Sequence, residues 1–114
     1  MGKYAVSINE KMKSINIELS GFFTDNDANN FVRDFIELSN KVKTEDAYLV
    51  FDCGKLFLYP CEAKLKLRNI FKLYKDIGYK LVRMKLYKPQ KELARKFKEL
   101  GEEIGLNLDT MFIE

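Results

Sequence analysis

Between Asp52 and Glu62 the chain gathers the side chains best suited to chemistry. They are two thiols at Cys53 and Cys61, two carboxylates at Asp52 and Glu62, and the phenol of Tyr59. The thiols are not spaced as zinc ligands, so a metal site would need isolated carboxylates to complete it. They flank one connection, which admits a redox pair or two small packed thiols. The chain has no histidine. That removes the commonest general base near neutral pH and every Ser–His or Cys–His nucleophile arrangement. Its six glycines, Gly2, Gly21, Gly54, Gly78, Gly101 and Gly105, never fall into a phosphate-cradling GxGxxG or GxxxxGK spacing. Glu102 and Glu103 are consecutive on a predicted helix and do not share a face. No catalytic residue, metal ligand or cofactor is assigned, and the chain reads as a non-enzyme.

What this stretch can do is present itself to a partner. AYLVFDCGKLFLYPCEAKLKLRNIFKLYKDI reads as a strand ending in Asp52, a short connection, and a helix opening near Cys61. Backbone N–H groups at a helix start have no partner within the helix and can meet an anion or a partner's acceptor. Tyr59, Cys61, Glu62 and Leu65 are therefore the expected partner-binding residues. Tyr59 offers apolar area with a polar tip, and Leu65 falls on the outer helix face between Lys64 and Lys66. Asp52 is expected to cap the turn that follows it.

Charge placement is the second strong feature. Lys64 to Lys98 holds thirteen basic residues opposed only by Asp76 and Glu92. Lys64, Arg68, Lys72 and Lys75 recur at helical spacing and predict a basic face away from the apolar stripe. Lys91, Arg95 and Lys98 repeat the pattern further on. Such a field attracts an acidic protein, a nucleic acid or an anionic head group, or is simply solvated. An acidic protein is the expected partner. Nucleic acid is disfavoured, because no exposed aromatic side chains interleave with the lysines.

The positioning elements follow from periodicity. Tyr4–Asn9 and Ser14–Leu19 alternate apolar and polar residues and predict two strands joined over Glu10–Lys13. Thr24 and Asp27 form a capping-box signal for a helix from Asp25 to about Lys41, burying Ala28, Phe31, Val32, Phe35 and Leu38. Leu49–Phe51 is a central strand. Cys61 to Ile77 is a second helix with Ala63, Leu67, Ile70, Tyr74 and Ile77 inward, stopped by Gly78. Lys80–Tyr87 is a strand. Pro89 opens a third helix burying Leu93, Phe97, Leu100 and Ile104 and ending at Gly105. Met111–Ile113 adds a short edge strand. The expected fold is a single α/β domain over residues 1–114, ordered β-β-α-β-α-β-α, a mixed sheet with helices mainly on one face.

Composition agrees with that scale. Hydrophobic residues are 46% and charged residues 32% of the chain, which suits one soluble domain with a single core. No apolar run approaches the ~20 residues of a membrane-spanning helix, and MGKYAVSINE lacks the apolar centre of a secretory signal. Two cysteines without a framework fit a reducing cytoplasm. Oligomeric state is not legible.

Taken in order, these residues resemble the STAS domain, the fold of bacterial anti-sigma factor antagonists, over nearly the whole chain. LVFDCGKLFLYPCEA is similar to that family's central strand and Asp-Ser-Ser-Gly helix start, with Phe57 and Leu58 as the preceding apolar pair. IFKLYKDIGYKLVRMKL resembles its helix, Gly turn and next strand, and IGLNLDTMF its Gly-Leu ending. The resemblance implies a regulatory protein-binding module. Small-ligand or lipid-associated relatives share the fold and supply the alternative, with an electrostatic nucleic-acid binder as a third. The motif itself departs: Tyr59 stands for the Asp, Pro60 and Cys61 for the serines, and Glu62 for the Gly. The phosphate-accepting serine is thus replaced by Cys61. A serine kinase of the anti-sigma type is expected to leave residues 60–63 unmodified by mass spectrometry, and a phosphate there would overturn the alignment.

Overall fold

Alternating apolar side chains lay down the sheet, and helical apolar stripes cover it. The computed structural model describes residues 1–113. Its strands are β1 (Lys3–Asn9), β2 (Ser14–Gly21), β3 (Tyr48–Leu56), β4 (Leu81–Tyr87) and β5 (Leu108–Ile113). The helices are α1 (Asp25–Ser39), α2 (Pro60–Ile77) and α3 (Lys91–Ile104). The five strands pair in chain order, β1 antiparallel to β2 and the rest parallel. Each parallel step moves the same way across the sheet, so right-handed crossovers put all three helices on one face. On that face Ile15, Ile17, Leu49, Phe51, Cys53, Val82, Met84 and Leu86 are buried. The other face, with Asn16, Val50, Asp52, Arg83 and Lys85, is only half-buried. Arg83 crosses it to grip Asp109 through two hydrogen bonds of 2.9 and 3.0 Å.

Local signals act where they stand. The Thr24 side chain accepts from the Asp27 amide and Asp27 accepts from the Thr24 amide, both at 3.1 Å, closing the capping box of α1. Asp27 also receives the Gly2 amide at 3.0 Å, which ties the start of the chain to α1. Gly78 ends α2 with φ at 88°, a left-handed conformation that glycine adopts without steric penalty. Buried between α1 and β4, the Ser39 and Tyr79 hydroxyls meet at 2.6 Å.

Three expectations are corrected. β3 does not end in Asp52 but runs to Leu56, because its later residues still pair with β2. Pro89 lies in a short 3-10 turn, Lys88–Gln90, that precedes α3. Gln90 closes this turn by accepting from the Tyr87 amide at 2.8 Å and donating to the Cys53 carbonyl at 2.9 Å. The last strand begins at Leu108 rather than Met111, since it pairs with β4 from Val82 onward. At the centre, aromatic rings link the layers: Phe51 of β3 stacks on Tyr74 of α2 at 5.2 Å and meets Phe31 of α1 at 6.3 Å. Phe51 is fully buried. Phe51→Ala is expected to lower the unfolding free energy by about 3–5 kcal/mol, and Phe51→Leu by much less. Urea unfolding with an unchanged slope checks both values.

Candidate functional site

One extra residue in β3 decides what the chain shows at the carboxyl end of its sheet. Glu18 pairs with Asp52 and Ser20 with Lys55, so two steps along β2 face three along β3. This is a β-bulge, and it exchanges inward and outward positions beyond it. Before the bulge odd-numbered residues of β3 face the helices, and after it even-numbered ones do. Leu56 and Leu58 therefore pack on the core, while Phe57 and Tyr59 are exposed. Asp52 stabilises the bulge by accepting the Gly54 amide at 3.0 Å. It caps an irregularity within the strand rather than a turn after it. A Cβ at Gly54 would come within 2.4 Å of the Tyr87 ring, so a larger residue there must displace that ring.

The exposed residues form an aromatic patch. Phe57 lies 6.3 Å from Phe22 and 5.1 Å from Tyr59 between ring centres. Phe22 is 40%, Phe57 53% and Tyr59 54% exposed, an unusual display for three neighbouring rings. The Phe57 amide donates to the Gly21 carbonyl at 2.9 Å, so the β2 and β3 exits are held together. Lys66 sits 5.1 Å over the Phe22 ring and 3.5 Å from Glu62. Beneath the patch lies a largely apolar cleft of about 180 Å³ between the two strand ends, α1 and α2.

The sequence-predicted residues are divided by this geometry. Tyr59 is the N-cap of α2, with Pro60 rather than Cys61 as the first helical residue. Tyr59, Glu62 and Lys66 fall on the side of α2 facing Phe22. Cys61 and Leu65, four residues apart, point to the outer side by helical spacing, and Leu65 is 87% exposed. Phe22 and Phe57 were not foreseen as exposed. Their signal was positional: both follow the last residue of a strand and precede a helix start, where no element covers them.

Three residues of the expected basic face, Lys64, Arg68 and Lys75, also reach α3. Lys64 contacts Glu99 at 3.0 Å, Arg68 pairs with Glu103, and Lys75 donates to the Ile104 carbonyl at 3.0 Å. Lys64 and Arg68 are half-buried in this seam. The Lys64 hydrogen bond, with Lys96 and Arg95 nearby, holds the Glu99 carboxyl below its usual range. Lys72 is exposed and has no carboxylate within 4 Å among the described residues.

Neither cysteine is in a disulfide. Cys61 is exposed, and Cys53 is buried in the core, where burial and the nearby Asp52 charge push its thiol up to about 12. Among the described residues no group of three or more Cys, Asp or Glu could hold a metal ion. No helix among the described residues is long and apolar enough to cross a membrane. No protein family, curated protein or solved structure matches the chain. Because the seam is paired, Arg68→Glu is expected to lower the melting temperature by about 3–6 °C through repulsion with Glu103. Adding Glu103→Arg restores most of the loss. Equal melting of wild type and Arg68→Glu would show the pair to be inert.

Proposed function

We propose that the chain is a non-catalytic regulatory module that binds an acidic protein through the Phe22–Phe57–Tyr59 patch. The observation that carries this reading is the patch itself, three adjacent exposed rings at the carboxyl edge of a parallel sheet. That edge is where open α/β sheets bind their ligands, and aromatic residues dominate the energetic centres of protein interfaces. The rings stand on strand exits pinned by backbone hydrogen bonds, so little ordering opposes docking. Lys55 and Lys66 flank them, and the net charge of +3 favours an acidic partner.

The reading extends the resemblance to STAS domains. The order β-β-α-β-α-β-α, followed by a last strand, supports an architecture of that kind. With Cys61 at the phosphoacceptor position, regulation here does not run through serine phosphorylation. A reducing cytoplasm suits one exposed and one buried free thiol. Nucleic acid is the weaker alternative: the Phe57 and Tyr59 rings meet edge to face at 75°, which leaves no parallel platform for stacked bases.

A partner captured by the immobilised chain and identified by mass provides the test. Phe57→Ala and Tyr59→Ala are each expected to weaken its binding at least ~10-fold while melting temperature stays put. Leu65→Asp, on the outer side of α2, weakens it less, and raised salt reduces affinity. Unchanged affinity in both aromatic variants would move the interface to the open sheet face around Arg83 and Lys85.

A further inference from the structure

The cleft beneath the aromatic patch is lined in part by a deeply buried side chain, Tyr74, whose polar group the fold leaves unused. Tyr74 is only 3% exposed. Its ring is held by Phe35, Phe51 and Phe71 at 5.1, 5.2 and 5.9 Å. Burial, with the neighbouring Cys53 and Tyr79, raises its pKa well above the ordinary phenol value, and no hydrogen bond contributes to that shift. Tyr79, by contrast, has the Ser39 hydroxyl at 2.6 Å. Every fully enclosed side-chain polar atom among the described residues has a partner. The Tyr74 hydroxyl has none among them, so it keeps free surface, and the space that Tyr74 lines is this cleft.

A hydroxyl at such depth has little contact with bulk water, and phenylalanine would fill the same ring site with no polar group to satisfy. Water is a poor occupant, since it needs two to four polar partners. The other polar side chains of the cleft, Thr24, Asp25 and Lys66, are exposed and stand at its mouth, while Leu19, Phe31, Leu67 and Ile70 present carbon. The volume of about 180 Å³ slightly exceeds the ~150 Å³ of an apolar cavity that holds benzene. We propose that the cleft binds a small neutral apolar molecule, the size of a substituted benzene ring, that offers one oxygen to the Tyr74 hydroxyl. The site is independent of the protein-binding reading, although Phe22 and Phe57 border both.

Acetophenone and its hydrocarbon counterpart α-methylstyrene are suitable probes. Titration of each into the isotope-labelled chain is expected to shift the amides of Leu58, Leu67 and Ile70. Tyr74→Phe lowers the acetophenone-to-hydrocarbon affinity ratio roughly three- to tenfold, the range of one neutral hydrogen bond, and leaves hydrocarbon affinity within about twofold. Ala28→Phe, which narrows the cleft, weakens both probes. The same Tyr74→Phe variant melts no lower than wild type, because the hydroxyl bonds nothing in the empty protein. Shifts confined to Phe22, Phe57 and Tyr59, an affinity ratio unchanged by Tyr74→Phe, or a clear drop in its melting temperature would each overturn the proposal.

Discussion

The rings of Phe31, Phe35, Phe51, Tyr74, Phe71 and Phe97 touch in an unbroken series from α1 through β3 and α2 to α3. Every layer of the molecule contributes to it. Neighbouring rings at 5–7 Å gain more than their buried area alone supplies, and a chain of them transmits any misplacement to all three helices. The remaining structure depends on this alignment. The α2–α3 seam pairs its charges beside Phe71 and Phe97, whose rings meet at 5.9 Å and help to set the spacing of those helices. The lining of the cleft shares a member with the series, since Tyr74 belongs to both.

Much of the fold was legible because its signals are local. Strand alternation in Ser14–Leu19 and Lys80–Tyr87, the Thr24 capping box and the glycine stops at Gly78 and Gly105 each act within a few residues. The misread segments are those decided by distant contacts. Asp52 looks like a strand end, yet β3 continues because β2 offers partners as far as Gly21. Phe71 was absent from the expected inward stripe of α2. Its burial comes from α3, whose Phe97 meets it from the side.

The candidate site was legible only in part, for the same reason. Tyr59 and Leu65 were identified from the helix start, but a helical wheel without its neighbours cannot tell which flank meets Phe22. The basic residues show a related omission. Lys64, Arg68 and Lys75 read as an open cationic face because Glu99, Glu103 and the end of α3 lie about thirty residues further along the chain. Long-range pairing gives part of that basic surface a second task, bridging α2 to α3.

The bulge in β3 makes the identity of the surface a matter of chain length. Upstream and downstream of Gly54 the side chains keep their chemistry, and only the count of peptide units between them assigns each to water or to the interior. Leu-Phe-Leu-Tyr is thus a sentence with two readings, set by one residue of phase. A single-codon deletion near Gly54 would exchange the leucine and aromatic rows, whereas most point substitutions there would not. A lineage could in this way acquire or lose its displayed rings in one step, without inventing a new side chain.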